Sequence, residues 1–196
     1  MSLPPLLLAS ASPRRRELLR ELGLEFAVVP ANVAESDAEQ LSPGELCQLN
    51  AYRKARCVAK QHPDALVIGV DTIVCLGATV FGKPADLAEA RRTLKRLQGM
   101  THEVVSGVCL IGLRSHRERL FAVSTEVRFR PLTEEEIDRY LAAINPLDKA
   151  GAYAIQEKGE WIVESISGSF SNVVGLPLER LREELESWDS SPARPR

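Results

Sequence analysis

Two rhythms of apolar and polar positions run along this chain, and each assigns elements. Leu6–Leu8 is a short apolar run, the pattern of a buried strand. A Ser-rich turn follows, and Ser12 is placed to cap a helix whose first position is Pro13. Leu18, Leu19 and Leu22 give that helix a buried stripe, and Gly23 ends it. Phe26–Val29 predicts a second strand, and the polar, acidic Asn32–Gln40 a loop. Ser42 with Glu45 is a capping box that opens a long helix to about Gln61, on which Cys47, Ala51, Ala55 and Val58 share one face. Ala65–Val70 is almost wholly apolar, the mark of a strand covered on both sides, and it ends in Asp71-Thr72. Ile73–Leu76 and Thr79–Phe81 flank Gly77-Ala78 as a hairpin, and Asp86–Gln98 is an amphipathic helix with Leu87, Ala90, Leu94 and Leu97 inward.

The second half continues with two long strands, His102–Leu113 and Leu120–Phe129, joined by a charged turn. Thr133 and Glu136 form a further capping box for a helix to about Ala143. The turn-rich stretch Asn145–Gln156 leads to a strand at Ile162–Ile166, a Ser/Asn/Gly loop at Ser169–Gly175 and a final helix over Pro177–Leu185. Ser187–Arg196 is polar and Pro-rich and predicts a frayed tail. With 196 residues, 44% of them hydrophobic, no repeat and no linker, the expectation is one domain over residues 1–186 followed by a disordered tail at 187–196.

Composition narrows the function. A net charge of -2 gives no general attraction to nucleic acid or to an anionic membrane, and only 5% of the residues are aromatic. No apolar run approaches the ~20 residues of a membrane span and no signal-peptide pattern precedes Leu6; a cytoplasmic protein is expected from the cysteines. The cysteines (Cys47, Cys57, Cys75, Cys109) show no C-x-x-C and read as reduced residues, mostly in the core.

The candidate chemistry is anionic-ligand chemistry. Helix N-termini carry partial positive charge, yet Arg14, Arg15 and Arg16 crowd the first turn of the first helix. With the backbone N–H groups they describe an anion pocket, the bland alternative being three arginines fanned into solvent. Lys54 lies on the apolar face of the long helix, where a lysine either snorkels to the rim or lines a polar cavity. Asp71, at the C-terminal end of a buried strand, stands where open α/β sheets place ligand chemistry, or else caps a turn. Lys83, before Pro84, projects from a rigid turn. The usual phosphate-loop, dinucleotide, zinc-protease and serine-hydrolase motifs are absent. His102 reads as a surface or strand-start residue. Ser10, the arginine turn, Lys54, Lys83, Glu35 and Asp71 suit positioning and charge neutralisation around phosphate. That set fits hydrolysis of a phosphoanhydride better than transfer to a second substrate.

In L-A-S-A-S-P-R-R-R-E-L-L (Leu8–Leu19), Lys54-Ala55, G-V-D-T-I-V (Gly69–Val74), Gly82-Lys83-Pro84, D-K-A-G-A-Y-A-I-Q (Asp148–Gln156) and G-S-F-S-N-V-V-G-L-P (Gly168–Pro177), the sequence resembles the Maf family of nucleoside triphosphate pyrophosphatases. It departs from the family pattern at Ala34, Val70 and Ala154. The resemblance implies an elongated α/β fold of two lobes, with a central mixed β-sheet flanked by helices and a cleft between the lobes. It implies hydrolysis of a nucleoside triphosphate to the monophosphate and pyrophosphate with a divalent metal cation, Mg²⁺ or Mn²⁺. Asp71 then matches the proton acceptor, and Ser10, Arg15, Lys54 and Lys83 match phosphate-binding positions. Glu35, with Asp71, matches a metal-holding position, and Arg14, Thr72 and Gln156 match the specificity positions of the branch acting on dTTP and UTP. A homodimer is implied as well, while the charge balance and low aromatic content predict no nucleic-acid partner. Two alternatives stay open: the same reaction on a modified nucleotide such as 7-methyl-GTP, and a nucleotide-binding regulator of cell division that does not turn over.

Overall fold

Local capping chemistry sets most of the helix starts. In the computed structural model, which describes residues 3–36, 38 and 40–190, Ser12 accepts from the Arg15 N–H and opens α1 (Pro13–Arg20). Ser42 and Glu45 make a reciprocal capping box at the start of α2 (Pro43–Gln61). Asp86 caps α3 (Leu87–Leu97), and Thr133 with Glu136 boxes α4 (Glu134–Ala143). Two short strands flank α1: β1 (Leu6–Leu8) before it and β2 (Phe26–Val28) after it. The other strands are β3 (Leu66–Leu76), β4 (Thr79–Phe81), β5 (Thr101–Gly112), β6 (Arg117–Phe129) and β7 (Val163–Ser167). The chain closes with α5 (Phe170–Val174) and α6 (Leu178–Ser190). Asp37 and Glu39 of the acidic loop, and residues 191–196 of the expected tail, lie outside the described residues.

The strands form one seven-stranded mixed sheet in the order β2-β1-β3-β5-β6-β7, with β4 paired to β3. β1 runs parallel to both β2 and β3, whereas β3–β4 and β6–β7 are antiparallel. This is the mixed α/β architecture with flanking helices that the resemblance implies. No helix among the described residues is long and apolar enough to cross a membrane.

The chain divides into two compact units. One comprises Met1–Asp71, Ser106–Val123 and Gly175–Arg196, and the other Thr72–Val105 and Ser124–Val174. In the first unit α2 lies on the sheet through its small residues: Leu7, Ala9, Ala51, Ala55, Val58, Ala59, Val67, Cys109 and Ile111 share one core. The approach is so close that a Cβ on Gly69 would stand 2.2 Å from the Ala51 carbonyl oxygen, and one on Gly107 2.3 Å from Cys47. In the second unit α3 and α4 close over Val74, Phe81, Val104, Val127, Phe129 and Tyr153.

Five expectations are corrected. β3 is not a strand that stops at Val70 with a separate hairpin arm beyond; it runs unbroken from Leu66 to Leu76, with Asp71 inside it and buried. The carboxylate does not end the strand because its charge is met by side chains of α2. Leu87, expected to face inward, is 58% exposed, since it is the first residue of α3 and the buried stripe starts at Ala90. The Ser/Asn/Gly loop contains α5, its start tied by the Asn172 N–H donating to Ser169 Oγ. α6 continues past Leu185 to Ser190, so the expected tail is helical over its first four residues. Trp188 supplies the reason: it is buried near Gly112, and the Arg117 guanidinium stacks 4.4 Å above its ring.

The fifth correction is His102, which does stand at the start of a strand, β5, but is a core residue and not a surface one. It is 2% exposed, shares a hydrogen bond of 2.9 Å between its Nε2 and the Tyr153 hydroxyl, and packs edge-on to Phe129 and Tyr153. Burial lowers its pKa from 6.5 to about 4, so the folded protein holds it neutral. A folded pKa below the unfolded one contributes stability that is complete above pH 6.5 and is lost as pH falls through 4, on the order of 3 kcal/mol in all. Chemical denaturation is expected to show the second unit weakening over that window. The fall should be shallower in His102→Gln; an equal fall in both proteins would assign the acid lability to other groups.

Candidate active site

The site in the first unit is assembled by one buried charge and the groups that meet it. β1 pairs with β3 only through Ile68, so Gly69, Val70 and Asp71 extend beyond the last residue of β1. α2 crosses that stretch in van der Waals contact, and the residues it presents there are Asn50 and Lys54, four apart on one helical face. Lys54 Nζ donates to Asp71 Oδ1 at 2.6 Å and to Glu35 Oε1 at 2.5 Å, with the Val70 carbonyl at 3.5 Å. The side chains of Lys54 and Asp71 are 12% and 7% exposed, that of Glu35 58%. The lysine on the apolar face of α2 therefore does not snorkel; it is held between two carboxylates.

Asn50 completes the arrangement. Its Nδ2 donates to Asp71 Oδ2 at 3.2 Å and to the Ser36 carbonyl at 3.1 Å, while its Oδ1 accepts from the Ser36 N–H at 2.7 Å. Both oxygens of Asp71 thus receive a donor, one cationic and one neutral. The segment carrying Glu35 is pinned to α2 by the same amide. Sequence reasoning passed over Asn50; the available signal was a polar residue four before Lys54, on a helix face otherwise made of Cys47, Ala51 and Ala55.

On the other flank, Arg15 in the first turn of α1 reaches the same carbonyl and also the hydroxyl of Ser10, just before that helix. Arg15 Nη1 donates to Val70 O at 3.1 Å and to Ser10 Oγ at 3.2 Å, and Nε donates to Gly175 O at 2.9 Å. Ser10 is buried and its Oγ also accepts from the Ser12 N–H at 3.3 Å. Burial pulls the Arg15 guanidinium below its ordinary pKa, against the opposite pull of Asp71 and Glu35. It remains charged at any physiological pH. Arg14, beside it, is half-buried, whereas Arg16 is exposed. Ser10, Arg15, Glu35, Lys54 and Asp71 therefore belong to one hydrogen-bonded group, joined through Val70 O and Asn50.

Lys83, Thr72 and Gln156 belong to the second unit. Lys83 and Gln156 are exposed and Thr72 is half-buried. There the Lys83 turn and the Asp148–Gln156 segment meet, the Gly151 N–H donating to Gly82 O at 3.1 Å. Gly151 has φ +70°, and a Cβ on it would come within 2.8 Å of Val74, so glycine alone fits this crossing. Next to it Lys149 is 4% exposed, with Nζ on the Asn145 carbonyl at 2.7 Å, Asp148 at 2.9 Å and Glu157 at 3.3 Å. Tyr140 holds Ala154 from both sides, its hydroxyl donating to the carbonyl and accepting from the N–H. The exposed side chains of Lys83 and Gln156 thus stand on a braced backbone.

Among the described residues no group of three or more His, Cys, Asp or Glu forms a metal cluster. Glu35 and Asp71 are nevertheless hard oxygen donors converging on one point, held by the Lys54 ammonium. Magnesium-type sites use one or two carboxylates and complete their shell with water and phosphate oxygens. The donor set fits such an ion.

A family model described as Maf-like protein matches residues 5–188 of the chain. A dTTP/UTP pyrophosphatase of Symbiobacterium thermophilum is 49% identical over 175 residues, covering 89% of each chain. One of Bacillus cytotoxicus is 46% identical over 184 residues, covering 94% of this chain and 95% of its own. Another of that name, from Akkermansia muciniphila, is 45% identical over 179 residues, 90% of this chain and 92% of its own.

The geometry predicts unequal costs for breaking the two ion pairs. Lys54→Met leaves Asp71 buried without its cation and is expected to lower stability by about 3 kcal/mol. Glu35→Gln removes an exposed partner and should cost less than about 1 kcal/mol. Urea unfolding of the two variants checks the order, and equal costs would contradict it.

Proposed function

Since the chain belongs to the Maf family, we propose that it hydrolyses dTTP and UTP to the monophosphate and pyrophosphate, with Asp71 as the proton acceptor. The observation that carries this reading is the convergence of Asp71, Lys54 and Glu35 beside the first turn of α1. A buried carboxylate in a group of phosphate-binding cations has no use in mere anion capture, where it would repel the ligand. It has one in taking a proton from water.

The chain's own residues divide the work as follows. Ser10, Arg15, Lys54 and Lys83 bind and orient the triphosphate by charge and hydrogen bonds. Arg15 already supports the site through Val70 O, so its charge arrives pre-positioned. Asp71 accepts the proton of a water whose oxygen attacks the α-phosphorus, and the bond from that phosphorus to the bridging oxygen breaks to release pyrophosphate. Lys54 also donates to one oxygen of the Asp71 carboxylate. Glu35 and Asp71 would hold a divalent cation, Mg²⁺ or Mn²⁺. When bound, that ion neutralises negative charge on the phosphate oxygens.

Arg14, Thr72 and Gln156 read the base. A pyrimidine with two carbonyls presents an acceptor–donor–acceptor edge, which arginine, hydroxyl and amide groups match. The reading includes a homodimer, as the resemblance implies, and a cytoplasmic setting, in keeping with four free cysteines.

With Mg²⁺ or Mn²⁺ present, purified protein is expected to release pyrophosphate from dTTP and UTP much faster than from dATP, GTP or 7-methyl-GTP. Asp71→Asn should lower turnover by ~10²–10⁴. Orthophosphate as the first product, or tight binding of dTTP without any pyrophosphate release, would overturn the reading.

A further inference from the structure

Asn50 is an anomaly of burial. It is 3% exposed, on a helix face whose neighbours Cys47 and Ala51 are completely buried apolar residues. A primary amide in such a place is costly unless all its hydrogen-bonding capacity is used. Here it is used. The single acceptor takes the Ser36 N–H, and the two donors go to the Ser36 carbonyl and to Asp71 Oδ2.

The pairing also fixes which way the amide faces. Ser36 offers a donor and an acceptor, and only one orientation of the Asn50 amide answers both; the reverse would set oxygen against oxygen at Ser36 and at Asp71. One side chain therefore ties three things together: the helix that carries Lys54, the segment that carries Glu35, and the Asp71 oxygen that Lys54 does not hold.

We propose that Asn50 is a positioning residue for Asp71, locking the carboxylate's plane and the Glu35 segment so that both acids address one point. This rests on the assignment of Asp71 as proton acceptor. Lys54 also holds Asp71, but it is a phosphate binder and its ammonium is shared with the substrate. Asn50 has no such second duty, so its bond to Oδ2 keeps the carboxylate oriented while Lys54 is engaged elsewhere.

The test is a double-mutant cycle on dTTP hydrolysis with Mg²⁺. Asn50→Leu, close in size, is expected to lower kcat by roughly 10–100-fold, the scale of an ångström's misplacement, while KM moves by less than about threefold. Binding of a non-hydrolysable α,β-imido analogue of dTTP without added metal should change as little. In an Asp71→Asn background the same Asn50→Leu change should cost less than about threefold, because its target is already gone. Asn50→Asp keeps the acceptor for Ser36 but loses both donors and faces Asp71 with like charge. It should lose at least as much kcat as Asn50→Leu, and it decides the matter if the leucine variant does not fold.

A loss of the same size in the Asp71→Asn background overturns the inference and leaves the base assignment standing. So does a folded Asn50→Leu protein with parental kcat, or one changed only in KM. Parental turnover in Asp71→Asn alone overturns the base assignment, and the inference falls with it.

Discussion

Everything in the first unit answers to one ammonium group. Lys54 sits between Asp71 and Glu35, and both it and Asp71 are largely removed from water. A buried ion pair stands only when the remaining lone pairs and protons are also met. Here Asn50 and the Val70 carbonyl meet them. The helix must also come very close to the strand for so short a bridge. Gly69 supplies that closeness: without a side chain it lets Ala51 and Ala55 rest on the backbone of β3. Lys54 lies between those alanines, two residues' reach from Asp71 along the strand. The small residues of α2 and the glycine of β3 are thus as much a part of the site as its charges.

The crowded arginines at the start of α1 take on a different meaning in this light. Positive side chains at a positive helix end are unfavourable by a few tenths of a kcal/mol each unless negative groups compensate. Arg15 is compensated within the protein, by the carbonyls of Val70 and Gly175 and the hydroxyl of Ser10. Its guanidinium is a strut that joins the end of β1, the middle of β3 and the segment before α6. Arg16 is the one that points to solvent. The anomaly in the sequence was a true signal, yet part of what it signalled was architecture.

What could be read along the chain was whatever is decided within a few residues. Ser12, Ser42 and Thr133 cap helices by reaching three residues forward, and each was legible; Asp86 does the same for α3 but was read as part of the helix. Lys54, Asp71 and Glu35 were singled out through residue type and resemblance, but the direct bonds of the lysine to both carboxylates were not foreseen. Asn50, the carbonyls of Val70 and Gly175, and the partnership of His102 with Tyr153 depend on residues between 14 and 160 positions apart. No local pattern carries that information. The continuity of β3 failed to show for a related reason. A charged residue in an apolar run looks like an end until its partners are known, and here they lie on a helix seventeen and twenty-one residues upstream.

Charge balance carries the last step. The group formed by Arg15, Lys54, Glu35 and Asp71 contains two cations and two anions, so in the resting protein it is neutral. Neutrality helps Lys54 and Asp71 lie largely removed from water, with the Glu35 side chain exposed beside them. It also means that the group by itself offers no net attraction to a triphosphate, which brings several negative charges of its own. Additional positive charge has to enter with the ligand or from elsewhere in the chain. The dication proposed for the oxygens of Glu35 and Asp71 would supply it. On the reading proposed above, a charge-balanced group of this kind would leave it to a cation arriving with the phosphates to offset their charge.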